Sequence, residues 1–186
     1  TETVKSVFNN AGSAVYQGFE LETEFQANEY LRLFLNYGSL DAEYKEFITD
    51  VDDDGVLDDA SFLTPRNAPE YTLGVGFTLN AEVGSGDVEL FAKYSTRGDY
   101  ETDLRNLSAG RLSAGAGDDL SMALSYNLDR LSLTLFGKNM TDERFEVPTV
   151  LGGRPATNPL GAGAPLFVVG SVNRPRTYGF EIAYDM

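Results

Sequence analysis

Residues 50–59 read DVDDDGVLDD, six aspartates in ten positions around one glycine. Positions 50–58 fit the pattern D-x-D-x-D-G-x-x-D. That spacing gathers Asp50, Asp52 and Asp54 around one point, and Gly55 permits a sharp turn. The Val56 carbonyl and the Asp58 carboxylate would complete an oxygen cage for calcium, a hard cation. An EF-hand would add a bidentate Glu at its twelfth position and a helix on each side. Here that position is Ser61 and no helical pattern flanks the loop, so this is not an EF-hand. A solvated acidic loop tip is the plainer reading. Any calcium affinity belongs in the weak extracellular range, about 10⁻⁴–10⁻³ M.

Little other chemistry is on offer. Glu20, Glu22 and Glu24 could do acid–base work, but their spacing sets them on one face of one strand, without a second carboxylate facing them across a cleft. The chain has no Cys, His or Trp, which removes disulfides, cysteine-ligated metals and every His-dependent nucleophilic centre. The expectation is a protein that is not an enzyme. A net charge of −15 argues against nucleic acid as a partner and against docking on anionic lipid.

What positions these residues is a pattern of period two. In residues 70–80, EYTLGVGFTLN, the side chains Tyr71, Leu73, Val75, Phe77 and Leu79 alternate with Thr72, Gly74, Gly76, Thr78 and Asn80. Six further stretches read the same way: 15–25, 31–38, 88–94, 120–126, 131–138 and 177–186. No helical stripe matches them in clarity, so the chain is all-β. Fully 23% of its residues are charged, yet the apolar faces of these stretches carry no charge.

A soluble sandwich also has uncharged inner faces, so alternation by itself leaves two architectures open. Three features favour a membrane barrel. Connections alternate between tight turns, at 27–29, 81–86 and 128–130, and long Asp-, Gly- and Pro-rich loops, at 46–67, 99–117 and 146–172. Outer-membrane barrels combine short periplasmic turns with long extracellular loops in this way. Aromatics fall at both ends of the apolar faces: Tyr37, Tyr71, Tyr94 and Tyr178 toward the long loops, Phe25, Tyr126 and Tyr184 toward the short turns. The opposite face is rich in Gly, Ser, Thr and Glu, which suits a water-filled or plugged interior. The expected fold is therefore an antiparallel up-and-down transmembrane β-barrel segment of about seven strands. Closed bacterial barrels have an even strand count. Either residues 1–8 supply an eighth strand or a larger barrel continues upstream.

Several stretches resemble the C-terminal barrel of TonB-dependent receptors. They are Asn10-Ala11-Gly12 with Gly18-Phe19-Glu20-Leu21-Glu22, then Arg66-Asn67-Ala68-Pro69-Glu70-Tyr71-Thr72, then LFGKNMTDERF at 135–145, then Arg174-Pro175-Arg176-Thr177-Tyr178-Gly179. They run in family order along essentially the whole chain. The family's closing strand ends in an aromatic read by the barrel-assembly machinery, whereas this chain ends in Met186.

The resemblance implies that residues 1–186 are the C-terminal portion of a receptor barrel, without its plug domain and upstream strands. It also implies residence in the outer membrane of a Gram-negative bacterium and uptake of a siderophore or other scarce nutrient. Its partners would be outer-membrane lipid, a small ligand such as a ferric chelate, and the TonB system through the missing N-terminal part. Arg97, Arg105 and Arg111, in or beside residues 99–117, are the cations an anionic chelate would meet there, although solvated loop charge is the plainer reading. No resident cofactor is implied beyond calcium in 50–58. Two alternatives stay open: a self-contained eight-stranded surface or adhesion barrel, and a soluble calcium-binding β-sandwich.

Overall fold

The computed structural model describes residues 12–50, 56–102, 112–151 and 167–185, and every regular element among them is a strand. In chain order these are β1 (Gly12–Gln26), β2 (Leu31–Thr49), β3 (Asp58–Asp59), β4 (Tyr71–Val83), β5 (Gly86–Arg97), β6 (Tyr100–Glu101), β7 (Ser113–Ala114), β8 (Gly117–Leu128), β9 (Leu131–Lys138), β10 (Glu146–Leu151), β11 (Phe167–Val172) and β12 (Thr177–Tyr184). The seven long strands form one antiparallel sheet in the order β1-β2-β4-β5-β8-β9-β12, each beside its sequence neighbour. This is an up-and-down meander, as the alternation of short and long connections requires.

The pairing register merges the seven apolar stripes into a single surface. Leu21 lies opposite Tyr37 and Tyr37 opposite Leu73. Val75 pairs with Tyr94 and Tyr94 with Leu120. Leu124 pairs with Leu135 and Leu135 with Phe180. A slip of one residue at any pairing would have turned one stripe to the other side. The surface remains open: Leu124, Leu135 and Phe180 are 43%, 59% and 72% exposed.

Elements in contact are hydrogen-bonded neighbours, apart from β10 against β7. A soluble sandwich would need a second sheet over the apolar face, and among the described residues none packs there. The sheet does not close among them either; β1 and β12 are its two edges. The N-terminal stretch that an eight-stranded barrel would need lies outside the described residues.

One cross-strand row is worth following. It runs Phe25, Leu33, Phe77, Ala92, Met122, Gly137, Tyr178, with each residue opposite the next on the same face. It begins at the short-turn end of β1 and finishes at the long-loop end of β12.

The structure extends several elements past their sequence-read limits. Pairing closes two turns tighter than the expected 81–86 and 128–130: Val83 pairs with Gly86 around Gly84 (φ 67°), and Leu128 pairs with Leu131 around Asp129 (φ 51°). In the first short connection Asn28 Oδ1 accepts from the amides of Tyr30 and Leu31, both at 2.9 Å. β2 continues to Thr49, well into the stretch expected to be loop 46–67. Along it the pattern changes phase. Up to Tyr37 the odd positions are apolar; beyond it they read Ser39, Asp41, Glu43, Lys45, while Leu40, Ala42 and Tyr44 hold the other side. Gln17 on β1 follows the same surface and its Nε2 donates to Asp41 at 2.9 Å.

The other two long connections carry hairpins. β6 pairs with β7 inside the expected loop 99–117, and β10 pairs with β11 inside 146–172. Strand β12 ends at Tyr184, and Met186, which the alternation also took in, lies outside the described residues.

A small closed core sits at the loop end of β2. Phe47, Ala60 and Leu63 pack together with Tyr44 against them, and the rings of Tyr44 and Phe47 stack at 4.4 Å. The Phe47 amide donates to Ser61 Oγ at 3.0 Å, and the Ala60 amide to the Phe47 carbonyl at 2.7 Å. This cap pins both ends of the acidic segment.

Candidate functional site

Glu20, Glu22 and Glu24 project from β1 on the polar side of the sheet, where Glu20 pairs with Gly38, Glu22 with Asn36 and Glu24 with Phe34. Glu24 meets Arg32 Nη1 at 3.4 Å, an exposed ion pair of little energetic weight.

Asp50, Val56 and Asp58 of the proposed cage are described; Asp52 and Asp54 lie outside the described residues. Asp58 is paired with Thr49 in the β2–β3 ladder. Its neighbour Asp59 accepts from the Ser61 amide at 3.0 Å, and hydrogen bonding from Ser61 holds its carboxyl below the ordinary range. Among the described residues no three ligating side chains converge on one point.

The polar face holds a more developed cluster at the long-loop end of β5 and β8. An open groove there, of about 460 Å³, is lined by Glu20, Glu22, Lys93, Arg97, Asp119 and Phe145 among others. Arg97 is fixed by aromatic contact. Its Cζ lies 4.6 Å from the ring centroid of Tyr100 and 4.8 Å from that of Phe145. Such cation–π contacts are worth about 0.5–2 kcal/mol each, more as water is excluded. Gly117, directly opposite Arg97, makes the space: a Cβ there would stand 3.0 Å from the Phe145 ring and 3.4 Å from Arg97 Nε. Arg105 and Arg111 lie outside the described residues.

Phe145 is itself held from behind. Its amide donates to Asn173 Oδ1 at 3.1 Å, and the Asn173 side-chain amide donates to the Glu143 carbonyl at 2.8 Å. Asn139, 3% exposed, donates from Nδ2 to the carbonyls of Glu143 (3.0 Å) and Arg174 (2.8 Å). Asp142 Oδ1 accepts from the Arg176 amide at 3.2 Å. The segments 139–145 and 173–176 are thus laced together at the foot of the β10–β11 hairpin. These are the stretches singled out by motif in the sequence; their role as a mutual clamp was not legible there, because it needs partners some 35 residues apart.

Sequence reasoning also passed over three phenylalanines on the polar face. Phe34 and Phe91 stack at 6.0 Å and 14°. Phe34 covers Gly76, where any Cβ would collide with its ring, and Phe136 covers Gly179 in the same manner. The glycines of that face are therefore seats for aromatic rings as well as water-facing positions.

No protein-family description and no curated protein sequence matches the chain. A solved structure does: the ferric yersiniabactin uptake receptor FyuA from Yersinia pestis, with a TM-score of 0.73 and 18% identity over 95% of this chain. The chain spans 24% of the length of that receptor. At this identity the likeness establishes the fold: an all-β antiparallel meander of the kind found in an uptake receptor.

Proposed function

We propose that this chain is part of the barrel wall of an outer-membrane, TonB-dependent receptor that takes up a siderophore or other scarce nutrient. On this reading residues 1–186 are the C-terminal portion of the barrel. The plug, the TonB contact and the remaining strands belong to other parts of a longer polypeptide. The barrel-assembly machinery would insert it, and lipid would cover its apolar face.

The observation that carries the proposal is the continuous apolar surface across seven strands of a one-layer sheet, with charge on that face only toward the long-loop end, at Asp118 and on the outer half of β2. In water such a patch would demand a partner; in a bilayer, hydrocarbon covers it. Strand length agrees. The 13 residues of β4 extend about 43 Å at ~3.3 Å each, and a ~45° tilt brings this to roughly 30 Å, enough for an apolar band about 25 Å tall. The phase change on β2 supports an upper limit to the apolar band, since outward positions become Asp41, Glu43 and Lys45 just beyond Tyr37. Likeness to an uptake receptor supports the transport role. The ligand then reaches the polar face, where the Arg97 cluster sits.

The chain contains no Cys, which makes the test direct. Single cysteines at Val75, Leu124 and Leu135, and at Ser95 and Glu181, are introduced into the full-length protein in cells. The first three should resist a water-soluble maleimide and react with a lipid-soluble one; the last two should react with the water-soluble reagent. Equal reaction of all five with the water-soluble reagent would overturn the membrane assignment. Uptake of radiolabelled ferric chelates by cells with and without the gene, before and after a protonophore, tests transport. Unchanged uptake of every chelate tried would remove the siderophore reading.

A further inference from the structure

We infer that Arg97 is a preset receptor for the carboxylate of a small diffusible ligand. The inference rests on the proposal that the polar face is wet. Arg97 shares that face with Phe91, Lys93 and Ser95 on β5, opposite Thr72 and Gly117. The nearby rings hold the guanidinium without using its N–H donors. Nη1 is shielded from solvent and, among the described residues, has no hydrogen-bond partner. A stranded donor on a charged group is costly, and such a group gains strongly from an anion that satisfies it.

The acids closest in register are not hydrogen-bonded to Nη1. Asp119 Oδ1 accepts from Ser121 Oγ at 2.7 Å, and Asp118, opposite Thr96, is on the other face of the sheet from Arg97. Glu20 is in the same cross-strand row but separated from Arg97 by Gly38 and Thr72. The planar fork of arginine matches a carboxylate with two parallel hydrogen bonds, which a lysine cannot reproduce. Rigid placement adds to this, because a cation already fixed by Tyr100 and Phe145 loses little freedom on binding. Asn173 and Gly117 act as positioning residues: one ties the Phe145 backbone, the other leaves space for its ring.

The test uses full-length protein labelled with ¹⁵N-arginine in detergent micelles, with benzoate as the anionic probe and benzamide as its neutral counterpart. Arg97→Lys assigns the Arg97 signals by their disappearance. Benzoate should move those signals saturably and benzamide should not. Phe145→Leu should weaken the benzoate response by roughly tenfold, in line with loss of one cation–π contact. Gly117→Val should weaken it too, while heat-modifiable electrophoretic mobility reports that each variant remains folded. Arg97 signals that ignore benzoate, or that respond equally to benzamide, would overturn the inference. The cysteine-labelling pattern is a separate readout, so the wet-face assignment can stand while the carboxylate site falls.

Discussion

The Asn139 side-chain amide donates to the backbone carbonyl of Arg174 at 2.8 Å, joining two segments that enter and leave the β10–β11 hairpin. Asn139 adopts a left-handed backbone, φ 49°, which asparagine tolerates better than most residues. The residue therefore serves backbone and clamp together.

Replacing Asn139 by Ala should cost about 2–4 kcal/mol, from three lost side-chain hydrogen bonds, including one accepted from Thr141, and a strained backbone. Asn139→Gly should cost less, because only the hydrogen bonds are lost. Urea unfolding of the full-length protein in lipid vesicles checks the order. Equal stability of wild type and Asn139→Ala would mean the clamp carries no load.

Charge on the two faces should have opposite consequences one residue apart. Phe180→Arg on the apolar face of β12 should cost roughly 2–4 kcal/mol near the bilayer centre. Glu181→Arg on the polar face should be nearly neutral. The fraction of protein assembled in outer-membrane preparations, read by heat-modifiable mobility, separates them. Similar assembly of the two would contradict a lipid-covered surface.

Gly76→Ala should be destabilising by about 1–3 kcal/mol, since the added methyl meets both the Phe34 ring and the Ala92 carbonyl. In a Phe34→Ala background the same change should cost less, as only the backbone collision remains. A double-mutant cycle by urea unfolding measures the coupling; a zero coupling energy would show that ring and glycine act independently.

Tyr44 supplies a pH dependence. Burial first, and the neighbouring Tyr16 second, push its phenol above the ordinary tyrosine pKa, with Arg66 opposing them. A raised folded pKa means the stabilisation is fully present below the unfolded value near 10 and is lost as pH rises through the folded value. The Phe47–Ala60–Leu63 cap should loosen in that alkaline window through Tyr44. Ultraviolet difference titration against Tyr44→Phe, with hydrogen exchange at Phe47 and Ala60, detects both the late titration and the loosening. Titration of Tyr44 at or below pH 10 would refute it.

The acidic segment is proposed to take calcium through Asp50, Asp52, Asp54, Val56 and Asp58, with affinity about 10⁻⁴–10⁻³ M. Calorimetry should show heat that is absent from an Asp52→Asn/Asp54→Asn variant. Identical traces would leave 50–58 as solvated charge tied to its cap.

The strands were legible because each membrane-type stripe is a local period-two signal, and all seven proved to lie on a shared face. Their pairing order followed from the alternation of turns and long connections. The outer half of β2 was not legible, since its apolar phase reverses after Tyr37 and the eye reads a strand end where the strand continues to Thr49. Phe34, Phe91 and Phe136 were missed as the sequence shows their alternation but not the glycines beneath them. Arg97 was noticed for its charge; its aromatic setting depends on Tyr100 and Phe145, and Phe145 arrives from 48 positions downstream only because β8, β9 and the Asn139–Asn173 lacing bring it back.

The transverse row from Phe25 to Tyr178 has a use of its own. Its six steps of about 4.8 Å cover roughly 29 Å, and with strands inclined near 40° its far end stands roughly 18 Å higher than its start. On the proposed membrane reading, a nitroxide carried sideways from strand to strand would sink or surface through the bilayer without ever advancing along the chain. Collision rates with dissolved oxygen and with a nickel chelate would read out that climb rung by rung, making the wall its own altimeter.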